Sequence, residues 1–150
     1  MKMTQIMFRE MEEDDKNFVF SSWLRSYRDS NCGKEQTTDS FFRIHSKVLT
    51  KHIPKFNVII ACDDSNKKSI MGFCCFSRTV ANICLVHYVY IKKTYRQVGV
   101  AQSLITLGVG DSSDVIITHL TPQGNQLMKK MKLNYYYSPA LFYLPNLFEE

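Results

Sequence analysis

"KKTYRQVGVAQSL", residues 92–104, sets two lysines and an arginine ahead of a turn of small residues, Gly99 and Ala101, and runs on into an apolar segment. Glycine permits a tight backbone path, and the small Ala101 permits close approach at the next turn. The first amides of a helix have no intrahelical partner. Those of Gln97, Val98, Gly99, Val100 and Ala101 therefore form a donor array suited to phosphate, to which Arg96 adds a charge-assisted contact. The competing reading is a plain helix start with Arg96 left exposed. The chain has neither a Gly-x-x-x-x-Gly-Lys-Ser/Thr loop nor a Gly-x-Gly-x-x-Gly loop, which argues against nucleotide hydrolysis and nicotinamide-dependent oxidation.

Upstream of this stretch, "NICLVHYVYI" (82–91) is rich in β-branched and aromatic residues and reads as a strand. Downstream, Ala101, Leu104, Ile105 and Gly108 give a helical stripe that Gly108 and Gly110 bring to an end. "DVIITHL" (114–120) predicts a strand, "TPQGNQLMKKMKL" (121–133) a short helix, and "YYYSPALFYL" (135–144) a final strand that Pro139 marks as edge or bulge. On the N-terminal side, "TQIMF" (4–8) predicts a first strand. Phe20, Trp23, Leu24 and Tyr27 then share one face of a helix that begins in the acidic run 12–15. Phe41, Ile44, His45, Val48, Leu49 and His52 trace a second helical stripe, which Pro54 ends. "FNVIIAC" and "SIMGFCCFSR" flank the polar turn "DDSNKK" as a hairpin. Together these periods predict an α/β fold, with a mixed, mostly antiparallel central sheet covered by helices and a functional crevice where the strand at 84–91 meets the following helix.

A chain of 150 residues with 45% apolar content is expected to form one domain, 1–150. No apolar run approaches the length needed to cross a bilayer, and "MKMTQIMFREMEEDD" turns acidic before a signal-like segment develops, so a cytoplasmic location is expected. The five cysteines (32, 62, 74, 75, 84) are odd in number, lack Cys-x-x-Cys spacing and read as buried thiols. His45, His52, His87 and His119 form no local metal signature, and no metal is expected. The net charge of +5 suits nucleic acid, membrane phosphates or a small polyanionic cofactor. The basic residues define no recognition helix, no basic amphipathic membrane element and no RNA-binding signature, so no membrane partner and no strong nucleic-acid signal is expected.

"YRQVGVA" (95–101) resembles the Arg/Gln-x-x-Gly-x-Gly/Ala motif of the general N-acetyltransferase superfamily, GNAT, with Arg96, Gly99 and Ala101 in the motif positions. The predicted element order resembles that family over most of the chain. The resemblance implies a GNAT-like acyl-CoA fold and acetyl-CoA as cofactor. Its diphosphate would lie on the loop amides, and its pantetheine arm would bond to the main chain of Val89 and Ile91. "LMKKMKL" (127–133) is similar to the family's Leu-Tyr-x-Lys-x-Gly-Phe segment at Leu127 and Lys130; Leu133 stands for phenylalanine, Lys132 for glycine and Met128 for tyrosine. That tyrosine often protonates the departing thiolate in the family, and a thioether has no proton to give.

Transfer to an amine needs an uncharged nitrogen, and an alkylammonium with a pKa near 10.4 must first lose a proton. His87, on the strand that feeds the loop, is the candidate base, with an oriented packing histidine as its alternative. Tyr136, or one of its neighbours Tyr135 and Tyr137, is the candidate proton donor. Trp23, Tyr90 and His119 are candidate substrate contacts, each with a packing alternative. An ideal strand would send Tyr88 and Tyr90 to the face opposite His87, unless a bulge shifts the parity. The leading expectation is N-acetylation of an amine-bearing small molecule or protein. The alternatives are a catalytically weak CoA-binding or protein-interaction domain, and a basic nucleic-acid-binding protein. A homodimer stays open.

Overall fold

The computed structural model describes residues 5–29, 38–79, 81–96, 98–111 and 114–143. Six strands form one sheet in chain order: β1 (Ile6–Glu10), β2 (Asn57–Asp63), β3 (Asn66–Arg78), β4 (Ile83–Ile91), β5 (Asp114–Ile117) and β6 (Tyr136–Tyr137). The β1–β2, β2–β3 and β3–β4 pairings are antiparallel, whereas β4–β5 and β5–β6 are parallel. Each parallel pairing spans a helical crossover, as parallel neighbours require. Four helices, α1 (Lys16–Tyr27), α2 (Thr38–His52), α3 (Val100–Val109) and α4 (Pro122–Lys130), complete the expected order.

Two apolar cores form, one on each face of the sheet. Val19, Trp23 and Leu24 of α1 join Phe41 and Leu49 of α2 over Ile60, Phe73 and Tyr88. On the opposite face, Val100, Leu104, Ile105 and Val109 of α3 join Met128 of α4 over Cys74, Val86 and Ile117. The helical stripes account for most of this packing. Ile44 departs from the expected α2 stripe, being 48% exposed. Cys62, Cys74, Cys75 and Cys84 are buried free thiols.

The start of α1 is fixed by charge. Arg9 of β1 grips the Asp15 carboxylate through two bonds of 2.7 and 3.0 Å, and donates to Lys67 O at 2.8 Å. Asp15 also accepts from the Glu12 amide at 2.7 Å, so the turn into α1 is tied to the β2–β3 hairpin. The Arg9 guanidinium holds the Asp15 carboxyl below the usual carboxylate range. At the far end of α3, Arg78 donates to Gly108 O at 2.8 Å, a cation on carbonyls that the helix cannot satisfy itself.

The C-terminal segment differs from expectation. Among the described residues only Tyr136 and Tyr137 pair with β5, and Pro139–Tyr143 form a 3-10 turn. Proline has no amide to continue the ladder, and the turn carries Phe142 back into the α1/α2 core.

Two irregularities position the site. First, β4 gains a residue relative to β3: Cys75 faces Tyr88 and Phe76 faces Val86, so His87 is the bulged residue. Cys84 and Val86 face the α3 core, and after the bulge Tyr88 faces the α1 core. The parity of an unbroken strand is thereby reversed. Second, the β4–β5 ladder stops early. Its last contact is Thr118 N to Val86 O at 3.2 Å, and beyond it the strands diverge.

Candidate functional site

Divergence of β4 from β5 leaves main-chain groups of β4 facing open space. Lys92 N bonds across to Met71 O of β3 at 2.8 Å. Alternation along the strand therefore turns Ile91 and Val89 away from β3. Arg96 Nε, which donates to Ile91 O at 3.0 Å, occupies that open side.

The space is a cleft of about 1070 Å³ bounded by α1, the end of β4, the start of α3 and α4. At one end stands the glycine turn. Gly99 has φ 86° and ψ 3°, the left-handed region, and caps the N-terminus of α3. The first α3 bond returned to it is Ser103 N to Gly99 O at 3.1 Å, so the amides of Val100, Ala101 and Gln102 precede the intrahelical ladder. Gly99, Ala101 and Gln102 line the cleft there, with Arg96 and Tyr95 beside them. Arg25, Arg96 and Lys130 are its lining cations and Asp29 its lining carboxylate. Positive charge and a helix N-terminus meet at one end, which suits an anion.

The α1 wall is polar. Asn17, Ser21, Arg25 and Asp29 form one row at four-residue spacing, with Phe18, Ser22 and Ser26 as its neighbour, and all line the cleft. The Ser26 hydroxyl donates to Ser22 O at 2.6 Å and lies 2.6 Å from the Tyr88 hydroxyl. Since the Ser26 proton is directed at a carbonyl, Tyr88 is the donor of that pair.

At the base of the divergence a second cavity, of about 30 Å³, shares Tyr88, Val89, Thr121, Gly124 and Leu127 with the cleft. Its inner wall is Val86, Ile105, Ile117 and Met128, and His87, His119 and Leu120 also line it.

Of the residues expected from sequence, Val89, Tyr90, Ile91, Arg96, Gly99 and Ala101 line the cleft. Val100 is buried in the α3 core, so that its amide is the group on offer, while the Val98 side chain is 63% exposed. Gln97 lies outside the described residues. Trp23 is not at a cleft rim: it is buried, stacked on Tyr88 with ring centroids 4.9 Å apart. His87 is fully buried, its Nε2 2.7 Å from Ser77 Oγ and its Nδ1 2.9 Å from Thr118 Oγ1, and its ring stacks on Phe56 at 4.0 Å. A base must aim a ring nitrogen at substrate, and both nitrogens here are turned to protein hydroxyls. Burial, with His119 and His52 nearby, also keeps this imidazole neutral far below its ordinary range. His119 meets the small cavity and packs edge-on against Trp23, Tyr27 and Phe142; burial, helped by His45, lowers its pKa to about 4. Tyr136 sits on the outer strand, 68% exposed and outside the cleft lining. Its neighbour Tyr135 instead donates to Asn125 Oδ1 on α4. Ser22 and Ser26 are not among the residues expected from sequence, and Tyr88 is expected there only as a neighbour whose face a bulge would decide; the four-residue spacing of polar residues on α1 is the signal that marks the two serines.

Among the described residues no three His, Cys, Asp or Glu side chains gather as a metal site, and no helix is long and apolar enough to cross a membrane.

No family profile and no curated protein sequence matches the chain. Solved structures do. A GCN5-related N-acetyltransferase from Ralstonia eutropha JMP134 superposes with TM-score 0.68 at 11% identity, over 87% of this chain and 93% of that one. The fold is that of the GNAT acetyltransferases. A second GNAT-fold match, titled histone acetyltransferase HPA2 and related acetyltransferase, from Corynebacterium glutamicum ATCC 13032, gives TM-score 0.65 at 13% identity over 86% and 84% of the two chains. A third, a predicted acetyltransferase from Clostridium acetobutylicum solved with acetyl-CoA, gives 0.60 at 14% identity over 87% and 90%.

Proposed function

We propose that the chain acts as one acyl-CoA-dependent N-acetyltransferase unit, passing an acetyl group directly to an amine of a small molecule or protein. The observation that carries this reading is the left-handed Gly99 turn. It presents the first amides of α3 to a cationic cleft that continues into the divergence of β4 and β5. A cleft of about 1070 Å³ exceeds the usual range for a small-molecule pocket, about 300–1,000 Å³, and leaves room for an extended cofactor beside an acceptor. The solved acetyl-CoA complex of a protein with this fold supports the same choice of cofactor.

Bound acetyl-CoA would supply an activated acyl thioester. The Val100, Ala101 and Gln102 amides, with Arg96, would hold its diphosphate, and main-chain groups of Val89 and Ile91 would hold its pantetheine arm. The Ser22/Ser26 wall of α1 receives the acceptor, with Tyr90 nearby. Of the cleft's three tyrosines, Tyr88 also lines the small cavity, and as proton donor its hydroxyl would exchange its bond to Ser26 (2.6 Å) for the departing thiolate. Tyr88 therefore takes the role expected of Tyr136, and His87 serves to hold the bulge that turns Tyr88 into place. His119 has its pKa near 4, too low for an effective base at neutral pH; the acceptor would therefore enter as the uncharged fraction of the amine, deprotonated in bulk solution. Positioning of two reactants supplies much of such a rate by itself.

A second reading, CoA binding without efficient turnover, is favoured by one observation: Met128, at the position of the family's tyrosine, is buried in apolar contacts. Incubation with acetyl-CoA and a panel of amines, followed by mass spectrometry of the products, separates the two. Acetylated amine supports the enzyme, and saturable CoA binding with no product supports the second reading.

A further inference from the structure

We infer that the small cavity walled by Met128 selects acyl-chain length, admitting two- and three-carbon acyl groups and rejecting four carbons or more. This rests on the acyl-CoA reading above. An acyl-CoA anchored at the α3 N-terminus and running back along Ile91 and Val89 reaches Tyr88 and Val89, the residues common to cleft and cavity. The next space in that direction is the cavity. Its volume, about 30 Å³, corresponds to about two or three water-sized spheres at 10–15 Å³ each. With the thioester carbon at the mouth, that is room for a methyl group and one further carbon.

The walls resist expansion for separate reasons. At the floor the β4–β5 ladder is still closed, Thr118 N reaching Val86 O at 3.2 Å. Val86, Ile105 and Ile117 are buried in one apolar cluster, packed at a density that does not yield a cavity without cost. Met128 is buried in the same cluster, and its position is fixed by the α4 terminus, where Leu133 N bonds to Met128 O at 3.0 Å. Like Ile105 of α3, it is a helical wall residue, so shortening it opens volume without touching the sheet. The substitution of methionine for tyrosine in the family-like segment thus removes a proton donor and leaves an apolar stop.

The test is calorimetric titration of CoA, acetyl-CoA, propionyl-CoA, butyryl-CoA and hexanoyl-CoA into the wild-type chain, Met128→Ala and Val86→Ile, with no acceptor present. In the wild type, acetyl and propionyl thioesters are expected to bind within a few-fold of each other, and butyryl and hexanoyl at least tenfold more weakly. Met128→Ala restores butyryl-CoA to within a few-fold of acetyl-CoA, since each buried methylene is worth about fourfold in affinity. Val86→Ile shortens the limit, so that propionyl-CoA becomes the weak ligand; it carries the test alone if Met128→Ala fails to fold. Affinity that is flat or rising from acetyl to hexanoyl in the wild type, or a chain-length profile unmoved in both variants, overturns the inference while the cofactor reading stands. Failure of every one of these ligands, CoA included, to bind the folded chain removes both.

Discussion

Replacement of Gly99 by alanine isolates the backbone of the proposed diphosphate site from its side chains. Gly99 holds φ 86° and ψ 3°, and a Cβ built there meets nothing within 4 Å. Alanine therefore adds no clash with neighbours, and its cost is the intrinsic penalty of a left-handed L-residue, about 1–2 kcal/mol. That cost must appear in one of two places. If the turn keeps its conformation, the folded state loses about 1–2 kcal/mol in urea unfolding, and CoA affinity is unchanged. If the turn relaxes in the free protein, stability is spared, and the ligand must restore the conformation at a cost of about 1–2 kcal/mol, a rise of 5- to 30-fold in the dissociation constant. The sum of the stability loss and the binding loss is bounded near 2 kcal/mol. Asparagine, which tolerates this region better than alanine, should fall between alanine and glycine. Parallel urea denaturation and CoA calorimetry on Gly99→Ala and Gly99→Asn measure both quantities. A variant with unchanged stability and unchanged affinity, or one whose affinity falls a thousandfold, refutes the reasoning.

Tyr88→Phe keeps the ring stacked on Trp23 and removes only the hydroxyl. Steady-state kinetics should show kcat lower by about 10²-fold with CoA affinity intact, whereas Tyr136→Phe, on an exposed edge, should match wild type. Burial lowers the His119 pKa to about 4, below the unfolded value near 6.5, so the unfolded chain binds the proton first. Stability is then complete above pH 6.5 and falls by on the order of 3 kcal/mol as pH drops towards 4; His52 and His87, also lowered, act in the same direction. Urea unfolding across that range checks it, and His119→Gln should flatten the slope. Lys132 sits at φ 57° just past α4, where the family segment carries glycine; Lys132→Gly should raise stability by about 1 kcal/mol, read as a higher urea midpoint.

Much of the architecture was legible because apolar periodicity reports which face is buried. Trp23 and Leu24, Phe41 and Leu49, and Leu104 and Ile105 all appear in the cores that their spacing implies. Gly99 was legible for a similar reason: a small flexible residue between a strand and a helix points to an unusual backbone, and its φ is 86°. The bulge at His87 was not. A single residue inserted into one strand leaves no periodic trace in a run as uniformly apolar as "CLVHYV", and it decides which side chains share a face. On an unbroken strand Tyr88 would share the face of Val86, not that of α1, and the base role that position suggests for His87 does not suit its two hydroxyl partners. The last strand was overextended because "YYYSPALFYL" has strand composition, whereas Pro139 starts a 3-10 turn.

The central claim, that the start of α3 and the open side of β4 together hold a CoA diphosphate and its arm, is tested most directly by amide chemical shifts during a CoA titration of the labelled chain. Saturable shifts should concentrate at Val100, Ala101 and Gln102 and at Val89 and Ile91, with those of the distant β1–β2 edge unmoved. A folded chain whose amides at these positions stay in place while CoA is added, or shift no more than the rest, contradicts the account.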